Sequence, residues 1–152
     1  MKSIIIYDSI TGNTKKVAEV IAKTLKCELI HIDKISEYKI EKYDLVILGS
    51  PVHGGMPTRK IKKFLLKKRI KKSYALFCTY GLWFFGNILA KNCLNYIDKI
   101  INLNLIGKFR CPGFHQIVKM YKGRPNKNDL EKAKEFAEKL IQNKNGRKNE
   151  IN

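Results

Sequence analysis

A run of hydroxyl and amide side chains around one glycine lies near the N-terminus, Ser9-Ile10-Thr11-Gly12-Asn13-Thr14. It follows an apolar stretch directly and precedes a segment of helical periodicity. The first N–H groups of a helix have no partner within the helix, and the helix dipole adds partial positive charge at that end. With the hydroxyl groups, these donors could bind a phosphate. Helix caps use the same residue types, so an ordinary capped turn is an alternative interpretation.

Two further segments combine chain-breaking residues with flat side chains. Residues 49–57 place two prolines around two glycines, which leaves backbone groups exposed in between: Pro51-Val52-His53-Gly54-Gly55-Met56-Pro57. Residues 79–86 hold a cluster of aromatic side chains, Thr79-Tyr80-Gly81-Leu82-Trp83-Phe84-Phe85-Gly86. A solvent-exposed loop rarely holds so many aromatic side chains unless a planar group covers some of them. We expect Tyr80 and Trp83 to stack on such a group, and Phe84 and Phe85 to pack under the next helix.

The elements that position these loops follow from the pattern of apolar residues. Short apolar runs alternate with stretches whose apolar positions recur every three or four residues, which is typical of a parallel α/β fold. Residues 34–42 have only a weak helical pattern and fit a loop or a single turn. The predicted strands are Ile4–Tyr7, Cys27–Ile32, Leu45–Leu48, Tyr74–Cys78 and Leu105–Phe109.

Four helices are predicted from apolar stripes, each of which would cover one side of the sheet. The stripe of the third helix is Leu89, Cys93, Tyr96, Ile97 and Ile100, and that of the last helix ends at Leu140 and Ile141. From residue 143 the sequence is polar and has no pattern. We therefore expect one domain over residues 1–142 and a disordered tail over residues 143–152.

The loops after strands one, three and four should converge, because ligands of open parallel sheets bind beyond the carboxyl ends of the strands where the winding reverses. The phosphate-binding candidate lies in the first of these loops. Other ligand classes lack their motifs here. The sequence has no G-x-x-x-x-G-K-[ST] phosphate loop, no G-x-G-x-x-G after the first strand and no G-x-S-x-G nucleophile turn. The third strand leads into Gly49-Ser50 and not into the Asp that a receiver domain needs.

The chain is strongly basic, with 31 Lys and Arg residues against 13 Asp and Glu and a formal net charge of +18 over 152 residues. Such a charge bears on partners and not on the fold. The basic residues do not alternate with exposed aromatic residues, and no nucleic-acid reader motif occurs, so we expect no nucleic-acid partner. Solvated basic faces and an acidic protein partner are the expected consequences.

Four cysteines are scattered without C-x-x-C spacing, at Cys27, Cys78, Cys93 and Cys111, which predicts neither a metal site nor a cluster. No apolar run approaches the roughly 20 residues that span a bilayer, and the N-terminus enters a strand without a leader. We therefore expect a cytoplasmic protein with no membrane partner.

Together, these segments resemble the flavodoxin family. Its short-chain members are similar in the last third as well, where this chain has Gly107-Lys108-Phe109-Arg110-Cys111-Pro112-Gly113, then Gly123-Arg124-Pro125 and Asp129-Leu130. The resemblance implies a three-layer α/β sandwich whose five-stranded parallel sheet has the family's strand order 2-1-3-4-5. It also implies one FMN cofactor and no metal.

By this resemblance, the Ser9–Thr14 loop would hold the FMN phosphate, and the turn at Gly54 would offer a carbonyl to N5 of the one-electron-reduced flavin. Tyr80 would stack on the ring. Where relatives often carry a second aromatic residue, this chain has Val52-His53, so either His53 or nothing covers the other face. The predicted cofactor site is Ser9, Ile10, Thr11, Gly12, Asn13, Thr14, Pro51, Val52, His53, Gly54, Gly55, Thr79, Tyr80, Gly81 and Trp83.

The resemblance implies an electron carrier that passes electrons between redox enzymes and has no catalytic residue of its own. An FMN-dependent oxidoreductase that reduces a quinone or another small acceptor is the alternative. In that case residues 112–125, with His115, Tyr121 and Arg124, would form a lid. A flavin-free binding module is a third interpretation, and monomer and dimer both stay open.

Overall fold

The computed structural model describes residues 2–67, 69–82 and 84–149. Its centre is a five-stranded sheet of order β2-β1-β3-β4-β5, in which all neighbouring strands are parallel. The predicted strands and the strand order are thereby confirmed. The strands are β1 (Ser3–Tyr7), β2 (Glu28–His31), β3 (Leu45–Pro51), β4 (Ser73–Tyr80) and β5 (Leu105–Pro112).

Four α-helices cover the two faces of the sheet. The pair α1 (Asn13–Leu25) and α4 (Lys127–Asn149) packs on one face, and the pair α2 (Arg59–Leu66) and α3 (Gly86–Ile101) packs on the other. Between β2 and β3 the chain forms two 3-10 helices, Ile32–Glu37 and Ile40–Lys42, in the region where the sequence predicts a loop or a single turn. The result is the predicted three-layer sandwich.

The three central strands, β1, β3 and β4, are buried almost throughout because helices cover both faces, whereas the edge strands β2 and β5 are partly exposed. In β1, Ile4 and Ile6 point toward α2 and α3, whereas Ile5 points toward α1 and α4, and all three are fully buried. Burying such a side chain stabilises the fold by about 1.5–3 kcal/mol. The strand ends, and hence the loops that follow them, are therefore held in fixed positions.

The buried stripe of α3 differs from the predicted one. Ala90, Cys93, Leu94 and Ile97 are buried, while Leu89 is only partly buried. The reason is that Leu89 packs over the loop after β3, where a Cβ placed on Gly55 would lie 3.3 Å from Leu89 Cδ2. The sequence pattern predicted that Leu89 packs on the sheet. The spacing of apolar residues shows that a side chain faces the protein interior, but not whether it packs on a sheet or on a loop.

The last helix passes the boundary expected at residue 142 and continues to Asn149. Asn143 Nδ2 donates a hydrogen bond to the carbonyl oxygen of Ile106 in β5 at 3.3 Å. A polar sequence can extend a helix that is already formed, because each added residue contributes one further backbone hydrogen bond. The final part of the predicted tail, residues 150–152, lies outside the described residues.

Candidate functional site

A cleft opens at the carboxyl edge of the sheet, where the loops after β1, β3, β4 and β5 meet. It has a volume of about 280 Å³ and is lined by Ile10, Thr11, Asn13, Pro51–His53, Thr79–Gly81 and residues 113–117. A smaller hollow of about 210 Å³ shares Val52, His53, Tyr80, Gly81 and His115 with the cleft and extends to Gly54 and Leu89. The loops after β1, β3 and β4 thus meet at the point where the sheet winding reverses, as the sequence predicts.

The start of α1 leaves backbone donors unused. Its N-cap is Gly12, which has no side chain to accept them, and Ser9 Oγ accepts only the N–H of Lys15, at 3.3 Å. Within the described residues, the N–H groups of Gly12, Asn13 and Thr14 have no acceptor. Gly12 itself has a φ of +85°, which any residue with a Cβ adopts only under strain. The loop therefore presents the donors that an anion would satisfy.

Two hydrogen bonds fix this loop against distant parts of the chain. Asn13 Nδ2 donates to Thr11 Oγ1 at 2.9 Å and to the carbonyl oxygen of Phe114 at 2.8 Å. The hydroxyl groups of Thr14 and Thr79 are 2.9 Å apart and both are buried. Thr11 and Asn13 line the cleft, whereas Thr14 anchors the loop to the end of β4.

The loop after β3 is a tight turn that exposes one peptide edge. The N–H of His53 donates to the carbonyl oxygen of Met56 at 2.9 Å, and the N–H of Met56 donates to that of His53 at 3.0 Å. Gly54 and Gly55 between them have φ values of +55° and +81°, as a type I′ turn requires. A Cβ on Gly54 would meet nothing within 4 Å, so the side of the turn that faces the smaller hollow is open.

Ser50 holds the two ends of that turn together. Its buried hydroxyl donates to the carbonyl oxygen of Pro51 at 2.8 Å and accepts the N–H of Thr58 at 3.2 Å. Thr58 in turn caps α2, since its Oγ1 accepts the N–H of Ile61. The turn is therefore fixed at its base while its glycines stay accessible.

Tyr80 ends β4 between the cleft and the smaller hollow. Its ring lies against Gly86, whose added Cβ would be 2.5 Å from Tyr80 Cδ2, and meets the Tyr121 ring edge-on at 6.1 Å. Burial raises the pKa of its phenol, so the side chain is neutral and presents a flat ring. The other predicted stacking residue, Trp83, lies outside the described residues.

Phe84 and Phe85 do not pack under α3, which corrects the prediction made for them. Their side chains are 78% and 66% exposed. The start of α3 is occupied instead by the Tyr80 ring over Gly86, which leaves the two phenylalanines outside. The sequence pattern could not show this, because the contact joins the end of one element to the start of the next.

The loop after β5 adds residues that the predicted site did not include. The N–H of Gly113 donates to the carbonyl oxygen of Tyr80 at 2.8 Å, and a Cβ on Gly113 would lie 2.9 Å from the Asn13 amide. The imidazole of His115 lies against Gly81, where a Cβ would be 2.7 Å from His115 Cδ2. The signal that could have located this wall is Pro112-Gly113, a turn sequence that directly follows a strand.

An ion pair with a buried carboxylate holds the far end of that loop. The Arg124 guanidinium donates to both carboxylate oxygens of Asp129, which is only 2% exposed, and Arg124 also lies over the Tyr121 ring at 5.9 Å. Asp129 accepts the N–H of Asn126 at 2.9 Å, and Asn126 Oδ1 accepts the N–H of Asp129 at 3.0 Å. This reciprocal pair is a capping box, so a carboxylate of the chain itself lies at the start of α4.

A third hollow of about 550 Å³ lies on the other side of the Ser9–Thr14 loop, between Ser9, His31 and the start of α2. His31 Nε2 is 3.4 Å from Asp8 Oδ1, and Lys60 Nζ is 2.7 Å from Asp33 Oδ2. The hydrogen bond from Lys60 lowers the pKa of Asp33. Arg59 and Lys60 are the first two residues of α2, and they line this hollow together with Ser9 and Ile10 of the Ser9–Thr14 loop. The described residues contain no group of side chains that could hold a metal ion.

The fold and the cleft define a flavodoxin-like α/β protein. The model of the flavodoxin domain family matches residues 4–135, so the chain belongs to this family. Membership in the family supports FMN as the cofactor of the cleft. An uncharacterised protein of Methanocaldococcus jannaschii is 37% identical over 94% of this chain and 100% of its own length.

Two other relatives are longer than this chain. The flavodoxin-like domain-containing protein BilS of Clostridioides difficile is 34% identical over 74% of this chain and 66% of its own length. A flavodoxin of Aquifex aeolicus is 29% identical over 69% of this chain and 63% of its own length. The chain therefore spans just under two thirds of each of these two proteins.

Solved structures of flavoproteins are also similar to this chain. A flavoprotein of Lactobacillus acidophilus in complex with FMN has a TM-score of 0.59 at 27% identity, over 72% of this chain and 92% of its own. A flavodoxin of Streptococcus pneumoniae has a TM-score of 0.71 at 15% identity, over 93% of this chain and 99% of its own. At 15% identity, the second similarity shows the fold alone.

Proposed function

We propose that the protein binds one FMN in the cleft and carries electrons between redox proteins. The observation that carries this proposal is the start of α1, which places unused N–H donors beside Thr11 and Asn13 at the base of a cleft with flat walls. A phosphate group satisfies such donors, and a planar ring fits between the Gly54 turn and Tyr80. FMN is a cofactor with both groups.

In this proposal each loop has one task. The N–H groups at the start of α1 and the Thr11 hydroxyl bind the phosphate, while Pro51–Gly55 and Thr79–Gly81 enclose the ring. Bound FMN supplies the redox chemistry, since it accepts and donates electrons one or two at a time. The chain's own residues orient the cofactor and keep one edge of the ring accessible.

The groups around the cleft favour a carrier over an enzyme. Within the described part of the chain, its titratable side chains are Tyr80, His53 and His115, and burial raises the pKa of Tyr80. No cysteine lines the described cleft, and burial raises the pKa of Cys93 and of Cys111 to about 12, which disfavours a thiolate nucleophile. All four cysteines are free thiols, which supports the reducing cytoplasm as the location we propose.

An FMN-dependent reductase of a small acceptor is the second candidate. The observation that favours it is the hollow of about 550 Å³ beside the phosphate loop, which shares Ile10 and His53 with the cleft. A small substrate there would lie next to the cofactor.

No described helix is long and apolar enough to cross a bilayer.

An absorbance spectrum of the purified protein, followed by stepwise reduction, tests the proposal. We expect flavin absorbance in the protein as isolated or after reconstitution with FMN, and negligible turnover with NAD(P)H plus a quinone. Rapid quinone turnover would favour the reductase. A protein that stays colourless after incubation with excess FMN contradicts both candidates.

The charge of the chain supports an acidic partner. At a net charge of +18, attraction to an acidic protein accelerates encounter, and dissolved salt screens that attraction. We expect the rate of electron transfer to an acidic partner to fall as the salt concentration rises. A rate that is independent of salt would count against the electrostatic part of the proposal.

A further inference from the structure

The exposed apolar side chains of this protein are concentrated around the cleft. Among the described residues, those that carry the observation flank the cleft on two sides and are here called the rim patch: Leu82, Phe84, Phe85, Ile88, Ile117 and Val118. Leu82 lines the smaller hollow, and Ile117 lines the cleft and is 87% exposed. Exposed apolar residues scattered singly need no explanation, but a group at one site marks an interaction surface.

The surroundings of the rim patch are cationic. Residues 45–128, which include the loops after β3, β4 and β5, contain a single acidic residue, Asp98. Asp98 lies near the C-terminal end of α3, away from the cleft, and its carboxylate is paired with Lys108 at 2.7 Å. The same stretch places Lys91, Arg110, Lys119 and Lys122 on the elements that carry the rim patch. No carboxylate in these residues opposes the positive field at the cleft.

Arg110 places a positive charge beside the rim patch. Its Nε donates to Asn87 Oδ1 at 2.6 Å, which places the guanidinium beside the first turn of α3, next to Ile88. Lys91 follows Ile88 by three residues and is exposed on the same helix. Cations therefore lie close to the apolar side chains at the start of α3.

We propose that the rim patch is the docking surface for a redox protein whose own contact face has an apolar centre and a rim of carboxylates. This inference rests on the proposed function, because a partner seated on the patch would lie against the accessible edge of the cofactor. Charge complementarity selects this occupant. A second copy of the chain would bring another net charge of +18 to the contact and is repelled.

Two haem proteins of opposite charge test the docking surface, acidic cytochrome b5 and basic cytochrome c. In stopped flow, one electron passes from the reduced flavin to the ferric haem iron, which becomes ferrous. We expect the second-order rate constant to be larger for cytochrome b5 and to fall with added NaCl. Fluorescence anisotropy of labelled cytochrome b5 measures binding separately, with or without FMN in the protein.

The decisive variant is Phe85→Ser combined with Ile88→Ser, and the matched control is Leu66→Ser. Leu66 is 75% exposed at the end of α2, outside the cleft. Since a few central apolar anchors dominate most interfaces, the double variant should weaken cytochrome b5 binding and transfer by about tenfold or more, whereas the control should not. Lys91→Glu should slow transfer at low salt only, and more than Lys99→Glu at the other end of α3.

The possible outcomes separate this inference from the proposed function. If the unaltered protein does not bind FMN, the proposed function is wrong. The anisotropy assay would still test whether cytochrome b5 docks on the rim patch. Unchanged cytochrome b5 binding by the double variant, or faster transfer to cytochrome c, would overturn the docking surface. Binding to phosphatidylserine vesicles that the double variant loses, with cytochrome b5 binding unchanged, would identify the patch as a membrane contact instead.

Discussion

The neighbouring helices α1 and α4 pack on the same face of the sheet but begin in opposite ways. At the start of α4, Asn126 and Asp129 accept each other's N–H groups, and Arg124 neutralises the buried carboxylate. At the start of α1, the N-cap is a glycine and the first turn contains no acidic residue. A carboxylate of the chain itself lies at the start of α4, whereas the start of α1 has none and offers its N–H groups to an external anion. The difference indicates which of the two is a binding site.

The largest expected effect comes from removing the internal acceptor of α4. Asp129→Ala should lower the free energy of unfolding by about 3 kcal/mol, since it leaves the Arg124 guanidinium unpaired and removes a helix cap. Urea unfolding with and without FMN measures this. We expect an equal loss in both forms, because Asp129 does not line the cleft.

A loss that occurs only in the FMN-bound form would contradict this assignment. It would mean that Asp129 acts on the cofactor through the loop of residues 112–125. Arg124→Met is the companion variant, because it removes the charge and keeps the apolar part of the side chain. We expect Arg124→Met to destabilise the protein as well, because it leaves the Asp129 carboxylate buried without its cation.

The second prediction concerns the unused donors of α1. FMN should bind at least about 100-fold more tightly than riboflavin, which lacks the phosphate, since each hydrogen bond to a charged group contributes about 1.5–3 kcal/mol. Isothermal titration of the apoprotein measures both affinities. Asp129→Ala should leave their ratio unchanged. Equal affinities for the two flavins would show that the start of α1 is not the phosphate site.

A pair of glycines allows a matched test of the same difference. Gly12 and Gly123 have φ values of +85° and +77°, and a Cβ on either would meet nothing within 4 Å. Replacing either glycine by alanine should therefore cost a similar amount of stability, about 1 kcal/mol, from backbone strain alone. Only Gly12→Ala should also weaken FMN binding, since Gly12 precedes α1 whereas Gly123 lies in the loop before α4. Equal FMN affinities of the two variants would refute the assignment.

The strands and the start of α1 could be predicted from the sequence because they depend on local patterns of residues. Each central strand is an apolar run buried on both faces, and the polar run from Ser9 to Thr14 marks the helix start that follows β1. The strand order came from the family resemblance, since nothing in the spacing of the runs determines it.

The parts that the sequence did not predict depend on contacts between distant residues. The hydrogen bond from Asn13 to Phe114 joins the first loop to the last one, and no local pattern reports it. The packing of Tyr80 on Gly86, which leaves Phe85 exposed, is likewise a tertiary contact. An aromatic cluster in a sequence does not say which of its members face the solvent.

The smallest predicted effect separates the needs of the helix from the needs of the ligand. Lys16 is exposed in the first turn of α1, where a cation opposes the helix dipole but attracts a phosphate. Lys16→Glu should therefore raise the stability of the apoprotein by about 0.5 kcal/mol and weaken FMN binding, most clearly at low salt. Lys127→Glu, in the first turn of α4, should give a similar gain in stability without any change in FMN affinity. If both variants weaken FMN binding equally, the long-range electrostatic field of the protein governs FMN affinity. The start of α1 would then contribute no more to FMN binding than the start of α4.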